Sequence, residues 1–286
     1  MSDAIAKTAY GTRIVRVTDY IHDHLEEEID LDVLADVACM SRFHWHRVYT
    51  AMQGETVAAT VRRLRLARAA ERLANSDLKL AEVARRAGYT TIEAFGRAFK
   101  DAYGQPPSDF RTSGSHARFK AANQAGDAAG FAVVVENLPA LHCAAVSHRG
   151  SYMLIGKAMG QLFQGLQAAG LLSGASRMIG LFLDDPDAAP TEALRSKACS
   201  PVAEDADLPG ALERVSLFEG AYAKLRYQGP YADMKDAYRW LLGVWLPNSG
   251  REAANAPIFE EYLNNPAEVS PAELLTDICL PLERAL

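Results

Sequence analysis

The second half of the chain repeats itself. The segment AAVSHRGSYMLIGKAMGQLF (144–163) aligns with AKLRYQGPYADMKDAYRWLL (223–242), so that Gly150 matches Gly229, Tyr152 matches Tyr231 and Leu162 matches Leu241, each 79 residues later. Further on, IGLFLDDP (179–186) matches FEEYLNNP (259–266) at an offset of 80. Each copy reads as strand, Gly turn, helix, loop, strand and turn. Two copies of one such unit pack about a pseudo-two-fold axis and leave a groove between them, a usual place for a ligand.

A chain of 286 residues has room for two domains, and 49% hydrophobic residues suffice for real cores. No apolar run reaches about 18 residues, so no membrane span is expected, and the opening MSDAIAKTAYGTR lacks a signal-peptide core. Cys39, Cys143, Cys199 and Cys279 are scattered. That usage suits a reduced, cytoplasmic protein with no disulfide framework, no metal site and no cofactor. The net charge of -6 conceals an uneven distribution: residues 41–120 carry 15 Lys/Arg against 7 Asp/Glu, whereas residues 121–286 carry 12 against 20. A basic block beside an acidic one suggests that one half meets a polyanion, although arginines also decorate solvated helix faces.

Residues 13–111 read as helices, with apolar residues recurring at spacings of three and four. Within them a helix-turn-helix pattern occurs twice. In the first, Leu31–Ala38 is a short helix, Cys39 and Met40 make the turn, and Ser41 caps a helix running over Arg42–Met52, which Gly54 stops. In the second, Leu80–Ala87 is the short helix, Gly88 permits the turn, and Thr90 or Thr91 caps a helix to about Tyr103. Helical phase puts Trp45, Val48, Tyr49 and Met52 inward on one candidate recognition helix, and Arg42, Phe43, His46, Arg47 and Thr50 outward. On the other, Phe95, Ala98, Phe99 and Ala102 face inward, while Ile92, Glu93, Gly96, Arg97 and Lys100 face outward. A connecting helix over about Thr56–Asn75 spans roughly 30 Å, close to the ~34 Å turn of B-DNA. It is therefore expected to hold two reading helices in successive major grooves. His44 and His46, two residues apart on a helix, diverge and do not form a metal pair. The arginines of RRLRLAR (Arg62, Arg63, Arg65, Arg68) point in several directions and are expected to be mostly solvated.

The run SRFHWHRVYTAMQGET, then RRLRLARAAERLANS, then LAEVARRAGYTTIEAFGRAFKDAYGQPPSDFR resembles the AraC/XylS-type DNA-binding domain over about residues 13–111. The resemblance implies contacts to double-stranded DNA from Arg42, Phe43, His46 and Arg47 in one groove, and from Ile92, Glu93, Gly96 and Arg97 in the next. Thr91 and Lys100 flank the second set. Ile92 and Gly96 stand where this family often has polar residues, which leaves more of the reading to phosphate contacts and DNA shape.

The stretch 113–130, rich in small and polar residues, reads as a linker. The domains are then 1–112 (all-α, double helix-turn-helix) and 131–286 (α+β, two pseudo-symmetric βαββ repeats). In the second domain Glu260 takes the place that Gly180 holds in the first repeat. On a strand Ile258, Glu260 and Tyr262 share one face. A carboxylate there amid Tyr152, Phe182, Tyr222, Tyr231, Trp240, Trp245 and Tyr262 suits a hydrophobic cation; the competing reading makes the aromatics core and the glutamate solvent-exposed. Residues 131–286 resemble a GyrI-like small-molecule-binding domain on HRGSY, LFLDDP, RYQGPYADMKDAYRWLLGVWLPNSG and PIFEEYLNNPAEVSPAELLTDICLPL. That resemblance puts Glu260 on the family's ligand-binding glutamate and implies a cleft for amphipathic or cationic compounds. The domain order is similar to that of regulators of the Rob type, which implies a transcription regulator with DNA, a small-molecule effector and RNA polymerase as partners. The runner-up is an enzyme: some GyrI-like proteins resemble hydrolases of reactive compounds, and Glu260 with Tyr152 or Tyr231 would supply acid–base chemistry. A third reading makes the cleft a grip for another protein.

Overall fold

The computed structural model describes residues 2–41, 45–113, 117–172, 176–217 and 219–283. The chain divides into two compact units, residues 1–114 with 266–272, and residues 115–265 with 273–286. No helix among the described residues is long and apolar enough to cross a membrane.

The first unit holds seven helices among its described residues: α1 (Ser2–Asp23), α2 (Leu31–Val37), α3 (Trp45–Gln53), α4 (Val57–Asn75), α5 (Leu80–Arg86), α6 (Ile92–Tyr103) and α7 (Pro107–Ser113). Short polar side chains start them by satisfying orphan amides. Asp30 accepts from the Asp32 N–H at 2.8 Å, Thr56 from Ala59 at 3.2 Å and Thr91 from Ala94 at 3.1 Å. The helix start expected after Ser41 falls on 42–44, outside the described residues; the Ser41 carbonyl accepts from the Trp45 N–H at 3.1 Å. Gly104 ends α6 in the left-handed region at φ 75°.

Two apolar clusters hold this unit together. Ile14, Val17, Ile21, Leu34, Trp45, Tyr49 and Val61 form one. In the other, Phe99 stacks on Tyr103 with centroids 4.4 Å apart, and both meet Phe110 edge-on. The inward stripes read from helical phase are buried at Trp45, Tyr49, Phe95, Ala98 and Phe99. Met52 departs from that reading and is 40% exposed: it lies in the last turn of α3, beyond the reach of the cluster built on α1, α2 and α4. The arginines of α4 also depart from it. Arg65 donates to the carbonyls of Leu25 (2.7 Å) and Glu27 (2.5 Å), Arg63 pairs with Glu55, and Arg68 and Arg72 pair with Glu26. Of the four in RRLRLAR only Arg62 is exposed.

Arg65 explains a glycine. Gly88 turns the chain between α5 and α6 at φ 81°, and a Cβ there would stand 2.4 Å from the Arg65 guanidinium. Gly88→Ala is therefore expected to cost about 1–2 kcal/mol from the left-handed backbone alone, and more as Arg65 is pushed off its carbonyls. Urea denaturation of the variant reads this directly; a midpoint equal to wild type would show that the turn relaxes freely.

The second unit is an eight-stranded antiparallel sheet with helices. Its elements are α8 (Ala117–Ala125), β1 (Val133–Leu138), β2 (Leu141–Arg149), α9 (Gly156–Ala168), β3 (Met178–Phe182), β4 (Arg195–Pro201), β5 (Glu213–Leu217), β6 (Gly220–Gln228), α10 (Met234–Trp240), β7 (Phe259–Tyr262) and β8 (Leu275–Pro281). A π-helical stretch, Leu241–Trp245, continues α10. The strand order is β1-β6-β8-β7-β3-β4-β2-β5, which is the same on either side of the β7–β3 seam when the repeats are exchanged. Each βαββ core, β2-α9-β3-β4 and β6-α10-β7-β8, has one additional strand before it. Those strands are exchanged: β1 pairs with β6 and β5 with β2, so each repeat supplies the other's edge.

The register puts the pseudo-axis at one residue pair. Gly180 lies directly opposite Glu260, its own equivalent 80 residues on. Ala198, Gly180, Glu260 and Ile278 then run in a row across the sheet face that carries the helices. On that face α9 packs over Ala144 and Ala198, and α10 over Leu225 and Ile278. The opposite face is a separate apolar layer of Ile179, Leu181, Tyr222, Phe259, Cys199 and Cys279.

Of the stretch expected to be a linker, 113–130, the described residues from 117 onward group with this unit. They contain α8, whose Phe119 is buried, stacks on Phe131 at 3.7 Å and meets Trp240 at 6.2 Å. The Asn123 side-chain amide donates to the Asp236 carbonyl at 3.2 Å, and the Trp240 indole N–H donates to the Asp127 carbonyl at 2.8 Å. Its small, polar sequence carries little helical pattern because docking on α10, and not amphipathicity, stabilises it.

Candidate functional site

Two surfaces carry the residues that the sequence singles out. The first comprises the outer faces of α3 and α6. Arg47 is exposed and His46 half-buried, its ring edge-on to Trp45 at 5.7 Å. Arg42 and Phe43 lie outside the described residues. The capping Thr91 and, on α6, Ile92, Glu93, Arg97 and Lys100 are exposed, and Gly96 is half-buried with open space where a Cβ would stand. Neighbouring arginines are tied down, Arg85 and Arg86 on Glu82 and Arg111 on the Leu78 carbonyl. Arg47, Arg97 and Lys100 make no ion pair among the described residues. The unit thus divides its cations into structural ones and ones left to solvent. The nineteen residues of α4 span roughly 28 Å.

The second surface surrounds Glu260. Its side chain is buried at 7% exposure in the row between α9 and α10. Tyr238, from α10, donates to one carboxylate oxygen at 2.7 Å, and Tyr262, two residues along β7, to the other at 2.9 Å. No cationic side chain pairs with it among the described residues. Burial raises the Glu260 carboxyl to about 7 against the two lowering hydrogen bonds. Burial and the adjacent carboxylate hold the Tyr238 and Tyr262 hydroxyls well above their ordinary range. Tyr231 meets the Tyr262 ring edge-on at 5.4 Å, and Tyr152 meets Phe182 at 4.7 Å. The Tyr152 hydroxyl is occupied: it donates to the Asp184 carbonyl at 2.8 Å and accepts from the Asp184 N–H at 3.1 Å.

Of the aromatic walls expected from the sequence, Tyr262 touches Glu260 and Tyr231 packs on Tyr262, while Phe182, with Tyr152 against it, stands beside Gly180, the residue opposite Glu260. Tyr222 is not among them: it packs on Phe259 at 5.3 Å, on the other face of the sheet. Strand alternation makes this unavoidable, because Ala223 and Leu225 are the β6 residues that face α10. Trp240 is also core, fully buried among Phe119, Phe131 and Tyr227, and Trp245 packs against the same cluster. Tyr238 is the residue the sequence reading missed. Its signal was present, since Tyr231, Met234 and Tyr238 fall at helical spacing on one face. Among the described residues no group of three His, Cys, Asp or Glu is placed to hold a metal. All four cysteines are free, and burial pushes Cys143 up to about 11 and Cys199 and Cys279 to about 12.

Residues 34–113 match the family model of a helix-turn-helix domain, and residues 131–283 that of the GyrI-like small molecule binding domain. YbfP of Bacillus subtilis, an uncharacterized HTH-type transcriptional regulator, is 34% identical over 103 residues, 36% of this chain and 35% of that protein, so the chain spans about a third of that relative's length. YgiV of Escherichia coli, a probable transcriptional regulator, is 29% identical over 152 residues, 52% of this chain and 95% of YgiV. Among solved structures, that of the EcmrR–DNA complex is similar at 16% identity and a TM-score of 0.49, covering 88% of this chain and 85% of that one. With more than half its length matched, the chain belongs to the GyrI-like small-molecule-binding family, and it carries that domain after an AraC-type helix-turn-helix domain.

Proposed function

We propose that this protein is a transcription regulator that reads DNA through α3 and α6 and takes a small hydrophobic cation at Glu260. The observation that carries the sensing half is a buried carboxylate with two tyrosine donors, aromatic neighbours and no cationic partner. A desolvated anion of this kind gains most from a ligand that brings positive charge and an apolar body together. Occupation of the site shifts DNA affinity or polymerase contact, and it does so only through different ligand affinity for the two states.

On the DNA side, Arg47 and Arg97 are the expected base readers and Lys100 a phosphate contact. Arg97→Ala is expected to relax preference at one base pair by about 1–3 kcal/mol. Equal weakening on all sequences, in a binding assay over a randomised site, would make Arg97 a backbone contact. Genome-wide mapping of bound DNA, with and without a quaternary ammonium compound such as benzyltrimethylammonium, tests the whole proposal. Occupancy confined to specific sites and altered by the cation supports it, while sequence-independent occupancy counts against it.

A second reading has one observation in its favour. A carboxyl that titrates near 7 beside tyrosine hydroxyls suits general acid–base catalysis, so the second unit would hydrolyse a reactive small molecule. Sustained product release from such compounds by the full chain, lost in Glu260→Gln, would favour the enzyme over the sensor.

A further inference from the structure

The pair at the pseudo-two-fold axis is not symmetric, and the asymmetry is informative. Gly180 sits in the middle of β3, in regular register with Ala198 on one side and Glu260 on the other. No left-handed backbone conformation requires glycine there, in contrast to Gly88 or Gly104. What requires it is space. A Cβ on Gly180 would stand 2.8 Å from the Tyr262 hydroxyl and 3.0 Å from the Phe182 ring. Tyr262 starts from the neighbouring strand, opposite Met178, and brings its hydroxyl diagonally to the bare Cα side of Gly180. From there its hydroxyl donates to the second oxygen of Glu260.

We infer that Gly180 is a positioning residue of the effector site: by leaving its own half of the axis empty, it lets Tyr262 cross the seam and hold the Glu260 carboxylate. Duplication by itself would put like residues on both sides of the axis. Two glutamates directly opposed on adjacent strands repel each other, so one repeat supplies the carboxylate and the other the room for its hydrogen-bond donor. The groups that face the carboxyl are Tyr262 on β7 and Tyr238 on α10, with Tyr231 against the Tyr262 ring. The consequence for ligand choice, a site built around a single negative charge, rests on the function proposed above. The geometry of Gly180 does not.

The test is the titration of the Glu260 carboxyl, followed by carbon-13 NMR in the full chain without ligand and assigned with Glu260→Gln. Gly180→Ala should displace the hydroxyl and raise the midpoint by about one pH unit, the size of losing one hydrogen bond to a carboxylate. Tyr262→Phe should raise it equally, and the double variant no further. Additive shifts, or a Gly180→Ala titration equal to wild type, would overturn the inference. If Gly180→Ala folds poorly, adding Tyr262→Phe and Phe182→Leu together should restore it, because both obstructing groups are then gone; failure to restore would equally sink the assignment. Since no ligand is present, none of these outcomes depends on whether the site takes cations.

Discussion

Glu260→Gln is expected to make the protein more stable at pH 8 and much worse at holding a cation. The Glu260 carboxyl is raised from an ordinary 4.5 to about 7, chiefly by burial. Below about pH 4.5 it is protonated in both the folded and the unfolded chain, and its contribution to stability is fully present. Between 4.5 and 7 the unfolded chain releases the proton while the folded one retains it, so stability falls as pH rises. Above 7 both are ionised and the loss is constant, of order 3 kcal/mol at about 1.4 kcal/mol per unit. Glutamine keeps the shape without the charge, so the variant should lose this pH dependence and gain a similar amount at pH 8. Urea titrations at pH 5, 6, 7 and 8 measure it. A variant less stable than wild type at pH 8 would show that the two tyrosines fully compensate the buried charge. Binding should move the other way. Benzyltrimethylammonium affinity is expected to fall by about 100-fold or more in Glu260→Gln, as when one partner of a buried ion pair is removed. In wild type it should weaken about tenfold per pH unit below 7, because the cation must displace the proton. Calorimetry that finds the affinity independent of pH and of Glu260 would remove the site.

Trp240→Ala should produce the largest loss of stability in the second unit, about 3–5 kcal/mol for a fully buried tryptophan. Trp240 closes a cluster of Phe119, Phe131 and Tyr227, and its indole satisfies the Asp127 carbonyl. Its removal therefore opens a cavity and orphans an acceptor together. The same seam can be tested from the other side. Replacing residues 117–125 by a Gly/Ser tract of equal length would be harmless if this stretch only linked two domains. With α8 docked on α10 it should cost several kcal/mol, since Phe119 and Ala122 leave the core. An unchanged denaturation midpoint would make α8 a bystander.

The positioning of Tyr238 gives this seam a further interest. It leaves the same helix that receives α8, and its hydroxyl holds Glu260. The helix that holds the Glu260 carboxylate and the helix on which α8 docks are thus one element.

Much of this protein was legible in its residues because the signals were local or periodic. Caps and left-handed glycines set the ends of the helices in the first unit, and the spacing of three and four gave the buried face of α6 and, Met52 excepted, that of α3. The 79–80-residue offset predicted the pseudo-symmetric sheet, and strand alternation put Glu260 and Tyr262 on one face. What failed was non-local. Nothing in the spelling of 113–130 says that Phe119 will find Trp240 more than a hundred residues away. Tyr222 and Trp240 look like pocket walls until the pairing of β6 and the docking of α10 commit them to core. The exchange of β1 and β5 between repeats, and the meeting of Gly180 with Glu260 on the axis, are facts of register. Sequence periodicity decides which way a side chain points relative to its own element. Only tertiary packing decides what it meets there, because burial and partner are properties of two segments brought together and not of either one alone.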